Sequence, residues 1–200
     1  RDQPRSRGLG DVYKRQDLGH TLTAYFNPLV RLITELPMPV ICAVNGVAAG
    51  AGANLALACD MVLAAHTARF IQAFSKIGLV PDAGGSWALP NRVGLARAMG
   101  LALTGDPLDA TEAVQWGLIW KSCPDEELMP TATALAANFA NGPTAAYAGT
   151  KSLMRAALFN SLDAHLDAEA QEQQKAGWSN DYAEGVRAFL AKRPANFTGN

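Results

Sequence analysis

The chain has 200 residues, 49% of them apolar and 18% charged, with a net charge of −1. That size fits one domain able to bury about 70% of its unfolded surface, and the composition is that of an ordinary globular protein. A balanced charge with no basic patch leaves no footprint for nucleic acid, and the sequence shows neither an apolar run of the roughly 18 residues that cross a membrane nor the core of a secretion signal.

In chain order, residues 1–16 come first: five bases (Arg1, Arg5, Arg7, Lys14, Arg15) and no apolar period of 2 or 3.6. A helical pattern begins at once with Leu18, Leu22, Phe26, Leu29, Val30 and Ile33, predicting a helix over 18–36 that stops at Pro37 and Pro39. Residues 40–44, VICAV, form a short run apolar on both faces, as in a strand covered on both sides. NGVAAGAG follows, too glycine-rich for a regular element, and then a short helix, ANLALACD. Residues 61–64 and 69–72 read as strands, and GLVPDAGGSWALPNRVG as a second glycine-marked loop entering a helix. Helices are predicted over 94–103, 109–116, 126–140, 143–158, 161–176 and 180–191, interrupted by one strand at 118–121. Strands first and helices later mean α/β crossing units followed by a helical segment. Cys42, Cys59 and Cys123 have apolar neighbours and no metal-ligand spacing, so reduced core thiols in a cytoplasmic protein are expected. His20, His66 and His165 are scattered, which speaks against a metal site or a Ser-His-Asp arrangement.

The first glycine loop carries chemistry. Gly50 and Gly52 allow a sharp turn and close approach of a ligand, and the helix behind them presents unpaired N–H groups at the positive end of its dipole. Such a place holds a phosphate or a reaction oxyanion. The phosphate version asks for a third glycine where this chain has Leu55, and close strand–helix packing would also account for the small residues.

PVICAVNGVAAGAGANLALACDMVLAA, FSKIGLVPDAGGSWALP, LTGDPLDATEAVQWGLI and EGVRAFLAKRPANF together resemble the enoyl-CoA hydratase/isomerase (crotonase) family, from Asp17 to the C-terminus. The resemblance implies a spiral of ββα turns over 17–127 and a helical trimerisation segment over 128–200. It also implies an acyl-CoA substrate with no separate cofactor, and a homotrimer or hexamer without nucleic-acid or membrane partners. In the family two backbone N–H groups polarise the thioester carbonyl, and the glycine-loop donor corresponds to Ala51, flanked by Gly50 and Gly52.

Hydratases of the family use two glutamates. Here the first position is Asn54, an amide that cannot act as a base near neutral pH, and the second is Phe74. Asp82, after Pro81 in VPDAGG, is the only carboxylate between Asp60 and Asp106, and apolar neighbours would raise its pKa. It is either the cap of the next helix or, as in isomerases of the family, the single acid/base that moves a proton between carbons. The implied activity is a 3-enoyl-CoA to 2-enoyl-CoA shift, or conversion of the ring epoxide of phenylacetate breakdown to an oxepin. A plain enoyl-CoA hydratase and a non-catalytic acyl-CoA-binding relative are the alternatives. Phe189 and Lys192 match positions that reach the CoA of a neighbouring subunit, though a solvated helix end would read the same.

The resemblance stops before Asp17, and DVYKRQ is also what the transposon-end adapter GATGTGTATAAGAGACAG encodes. Residues 1–16 are therefore expected to be foreign, with the family's upstream strands and second oxyanion donor lacking and activity impaired as a result.

Overall fold

A computed structural model describes residues 17–200, so the expectation for residues 1–16 lies outside the described residues. Helix α1 (Leu18–Thr21) runs through a π-helical turn (Leu22–Phe26) into α2 (Asn27–Glu35), which ends where Pro37 and Pro39 forbid helix. Then come β1 (Ile41–Val44), β2 (Val47–Ala49), α3 (Ala51–Ala58), β3 (Met61–Ala65) and β4 (Arg69–Ile71). A 3₁₀ turn (Ala73–Ile77) leads to α4 (Gly85–Thr104), followed by β5 (Pro107–Asp109), α5 (Ala110–Gln115) and β6 (Lys121–Cys123). The C-terminal part holds α6 (Leu128–Ala140), α7 (Thr144–Ala156), α8 (Leu162–Gly177) and α9 (Asn180–Leu190).

Successive turns of chain deal one strand to each of two three-stranded sheets, ordered β1-β3-β6 and β2-β4-β5. All pairs are parallel except β4 with β5, where Phe70 faces Leu108. This is the expected spiral of ββα units. The core between and behind the sheets is built from Leu57, Val62, Leu63, Phe70, Leu89, Leu101, Leu108, Leu118 and Leu128. Helix α6 packs on β1 and β3, which binds the start of the helical segment to the spiral.

Four sequence expectations need correction. Val47–Ala49 is a strand despite its glycine-rich setting, because β4 offers a parallel partner that propensity cannot foresee. The strand expected at 118–121 lies at Lys121–Cys123 instead: Gly117 turns with φ 77°, Leu118 and Ile119 plug the core, and only then does the chain meet β3. The strand over 69–72 stops at Ile71, releasing Gln72 from the ladder. Helix α4 starts nine residues earlier than 94 and continues across a kink at Gly94, whose φ is 76°.

Helix α3 is buried almost all round, so its surface is small and apolar, with Asn54 as the buried polar exception. Its last carbonyls find no partner within the helix. Arg92 of α4 donates Nη2 to Leu57 O (2.7 Å) and Cys59 O (3.2 Å) and Nη1 to Leu118 O (3.2 Å). Arg155 of α7 donates to Ala58 O and to Asp60 Oδ1, with 2.7 Å to the carboxylate. Lys151 completes the cluster, 2.7 Å from Asp60 Oδ2, and also donates to Ile33 O and Met38 O. Two helices, α4 and α7, thus clamp one end of α3. Arg92→Met keeps the aliphatic stem but leaves partly buried carbonyls unpaired, each costing roughly 1–3 kcal/mol. Urea denaturation of that variant is expected to show a loss of about 2–4 kcal/mol, with the slope unchanged.

Candidate active site

The site is built where the two glycine-marked loops meet. Gly50 is the N-cap of α3, with φ 54° and ψ −129°, a conformation open in practice only to glycine. Its N–H donates to Ile71 O at 2.8 Å, pinning the loop to β4. Ala51 opens the helix, so its N–H is one of those the helix cannot partner. Gly52 is exposed on the first turn, and among the described residues no atom outside its own stretch of helix stands within 4 Å of the place a Cβ would occupy. A ligand oxygen can therefore approach this turn along the backbone. Phe74, at the second glutamate position of hydratases, lies with its ring against Gly50, 3.6 Å from an added Cβ. It supplies an apolar wall and no proton.

The second loop approaches through Asn54. Its Nδ2 donates to the backbone carbonyl of Asp82 at 2.8 Å, and its Oδ1 accepts from Gln72 Nε2 at 2.8 Å. Gly85 packs so closely on this amide that a Cβ there would collide with it. Ala83 and Gly84 both turn left-handed, with φ 46° and 82°. For alanine this costs on the order of 1–2 kcal/mol and persists only where the surroundings enforce it.

Asp82 does not cap the next helix. Gly84 is the N-cap of α4, no side chain caps it, and Gly85 N–H bonds to the backbone carbonyl of Asp82 instead. The carboxylate is left without a partner: Oδ1 is buried and unpaired among the described residues. Burial pushes the Asp82 carboxyl above its ordinary range, with a smaller opposing backbone hydrogen bond. The direction and its cause, desolvation, match the sequence expectation, with Ala83 buried next to Asp82 although Leu79 and Val80 are exposed. Asp60, the nearest carboxylate along the chain before it, is already engaged by Lys151 and Arg155.

A cavity of about 520 Å³ lies between α2, α4 and α7, lined by Val30, Asn54, Gly84 and Trp87 together with the clamp residues Asp60, Arg92, Lys151 and Arg155; Asp82 and Ala51 are not among its lining residues. A Cβ added at Gly84 would lie 3.6 Å from Val30 Cγ1. Trp87 stacks on Phe159 with centroids 5.7 Å apart, giving the outer wall an aromatic plate.

Pro81 is half-buried beside Asp82, whereas Phe189 and Lys192 are not brought to this place. Phe189 ends α9 at 82% exposure, near Leu153 of α7. Lys192 follows in a left-handed turn with φ 52°. Behind it Arg193 pairs with both oxygens of Glu184, at 2.7 and 3.0 Å, which pulls that carboxyl down to about 2. Sequence reading missed Gln72 and Arg92. An isolated Gln at a strand end and an Arg within a helix carry no local signal, because their partners lie 18 and more than 25 residues away.

The raised Asp82 pKa has a consequence for stability. A carboxyl whose folded pKa lies above its unfolded value binds its proton more tightly in the native state, so its contribution is lost as pH rises through that interval. Asp82→Asn is therefore expected to melt above the unmodified chain at pH 7 to 8, with the difference vanishing below the ordinary carboxylate range; calorimetry against pH checks this.

Comparison with known proteins gives one consistent result. The sequence profile described as enoyl-CoA hydratase/isomerase matches residues 8–200, a span that begins nine positions before Asp17. The chain is 55% identical over 183 residues to the 1,2-epoxyphenylacetyl-CoA isomerase of Escherichia coli (strain K12), covering 92% of this chain and 70% of that protein. It is 52% identical over 192 residues to a Rhodobacter capsulatus protein named as a probable enoyl-CoA hydratase, covering 96% of this chain and 75% of the other. Among solved structures, an enoyl-CoA hydratase from Polaromonas sp. JS666 superposes with a TM-score of 0.88 at 32% identity, covering 94% of this chain and 74% of that one.

Proposed function

The chain belongs to the enoyl-CoA hydratase/isomerase family, and we propose that within it the protein is an acyl-CoA isomerase using Asp82 as its single acid/base. The observation that carries this reading is the state of the carboxylates. Asp82 is unpaired, with a buried oxygen and a raised pKa, whereas the two hydratase glutamate positions hold Asn54, whose amide is committed on both sides, and Phe74. Water addition needs one group to activate water and another to deliver a proton to carbon. Isomerisation needs one base that takes a proton from one carbon and returns it to another.

In the proposed reaction the thioester oxygen lies against the Ala51 N–H, where charge develops as the base removes the proton next to the carbonyl. In a 3-enoyl-CoA the electron pair then moves along the chain, and Asp82 returns the same proton at the far carbon. The product is the 2-enoyl-CoA, with every atom retained. In a ring-1,2-epoxyphenylacetyl thioester the same proton ends on a ring carbon as the ring expands to an oxepin. This substrate is favoured by the 55% identity to a protein named for it. Gly50, Gly52 and Pro81 shape the backbone on which the acyl group rests, and CoA arrives as part of the substrate. The apolar Leu162, Leu166, Trp178, Phe189 and Leu190 on the C-terminal helices support assembly into a trimer or hexamer, in which Phe189 and Lys192 of one subunit serve the CoA of the next.

Asp82→Asn keeps the shape and removes the basicity. It is expected to lower kcat by roughly 10²–10⁴-fold with KM for the thioester little changed, while Asn54→Ala costs far less. Steady-state kinetics with a 3-enoyl-CoA and with the ring-epoxide thioester check the order, and the reverse order would make Asn54 the working group. The hydratase reading rests on the Rhodobacter capsulatus relative's name. It predicts water addition to crotonyl-CoA at rates equal to or above isomerisation, and the isomerase reading predicts little. Thioester binding without turnover of any of these substrates would leave the protein an acyl-CoA-binding relative.

A further inference from the structure

We propose that Gln72 is a positioning residue for the base, acting through the side-chain amide of Asn54 on the backbone of Asp82. The inference rests on the reading of Asp82 as the acid/base. The direction of the relay follows from hydrogen-bond chemistry alone. A backbone carbonyl only accepts, so the Asp82 carbonyl requires Asn54 to present Nδ2. That choice turns Asn54 Oδ1 toward Gln72, which must then present Nε2. Gln72 Oε1 is left over, buried and without a partner among the described residues.

Both amides are sealed from solvent, Asn54 at 1% and Gln72 at 3% exposure. A residue kept only to fill the core would not leave an acceptor desolvated, since an apolar side chain of similar size avoids that loss. What the relay holds is strained. Ala83 and Gly84, directly after the base, are both left-handed, and Gly85 has no room to move because Asn54 fills the space at its Cα. Gln72 stands at the end of β4, whose Ile71 carbonyl receives the Gly50 N–H. One strand end therefore fixes both the oxyanion turn and, through Asn54, the loop bearing the base.

The test combines kinetics with a carbon-13 titration of the Asp82 carboxyl in the protein and in two variants. Gln72→Met preserves length and donates nothing. It is expected to lower kcat about tenfold or more with KM within about threefold, and to bring the Asp82 midpoint down toward the ordinary carboxylate value as the loosened loop admits water. Gln72→Glu donates only while protonated. It should hold activity between the pH at which Asp82 ionises and the pH at which the new carboxyl does, and lose it above that as the ionised carboxylate turns the Asn54 amide over, a falling limb the Met variant does not share. A readout free of substitutions guards against misfolding: the Asn54 and Gln72 side-chain amide protons should exchange with solvent far more slowly than those of exposed Asn196. Rapid exchange overturns the relay. So does Gln72→Met with an unmoved Asp82 midpoint and unchanged kcat, and so do matching pH profiles for the two variants. Failure of the underlying reading looks different: Asp82→Asn would retain turnover while the two amides stayed protected.

Discussion

Helix α3 has unpaired backbone groups at both ends, and the fold treats the two ends oppositely. At the C-terminal end Arg92 and Arg155 cover the carbonyls of Leu57, Ala58 and Cys59, while Asp60 and Lys151 hold the second guanidinium in place. At the N-terminal end the left-handed Gly50 turns the chain and the first N–H groups point outward. A short buried helix cannot position an oxyanion donor unless it is itself immobile. The charged clamp at one end keeps the other in register.

The same helix carries the contact that makes a site out of two loops. Asn54 lies one turn along from Ala51, and its amide reaches the Asp82 carbonyl, so the Ala51 turn and the Asp82 loop are tied to one element. Phe74 walls the Gly50 turn, Asp60 is paired, and one Asp82 carboxyl oxygen is buried without a partner among the described residues. Desolvation raises its pKa at the expense of folding stability. Isomerase and hydratase sites of this family can thus share a backbone and differ in which side chains project toward the thioester.

The C-terminal helices follow a separate logic. Glu184 and Arg193 close the end of α9, and Asp181 receives the backbone N–H groups of Thr198 and Gly199, strapping the last residues back along the helix. That strap lies beside Phe189 and Lys192, both of which stay exposed.

Much of this was legible in the residues themselves. Proline pairs, glycine loops and apolar periods place α2, β1, α3, β3 and the C-terminal helices within a few residues, since these signals are local. The substitution of Asn54 and Phe74 for carboxylates, and the survival of Asp82, are facts of the sequence that steer the chemistry toward isomerisation. What composition could not reveal depends on partners distant along the chain. Val47–Ala49 becomes a strand only because β4 lies beside it, and Lys121–Cys123 replaces 118–121 because the register with β3 is set by where Leu118 and Ile119 plug the core. A helix cap stayed open as the alternative reading of Asp82 until Gly84 took that place. Gln72 gained a role only when β4 released it onto Asn54. The sequence by itself determined which groups could carry a proton; the tertiary structure decided which of them was left unpaired to do so, because hydrogen-bond satisfaction is settled by neighbours in space.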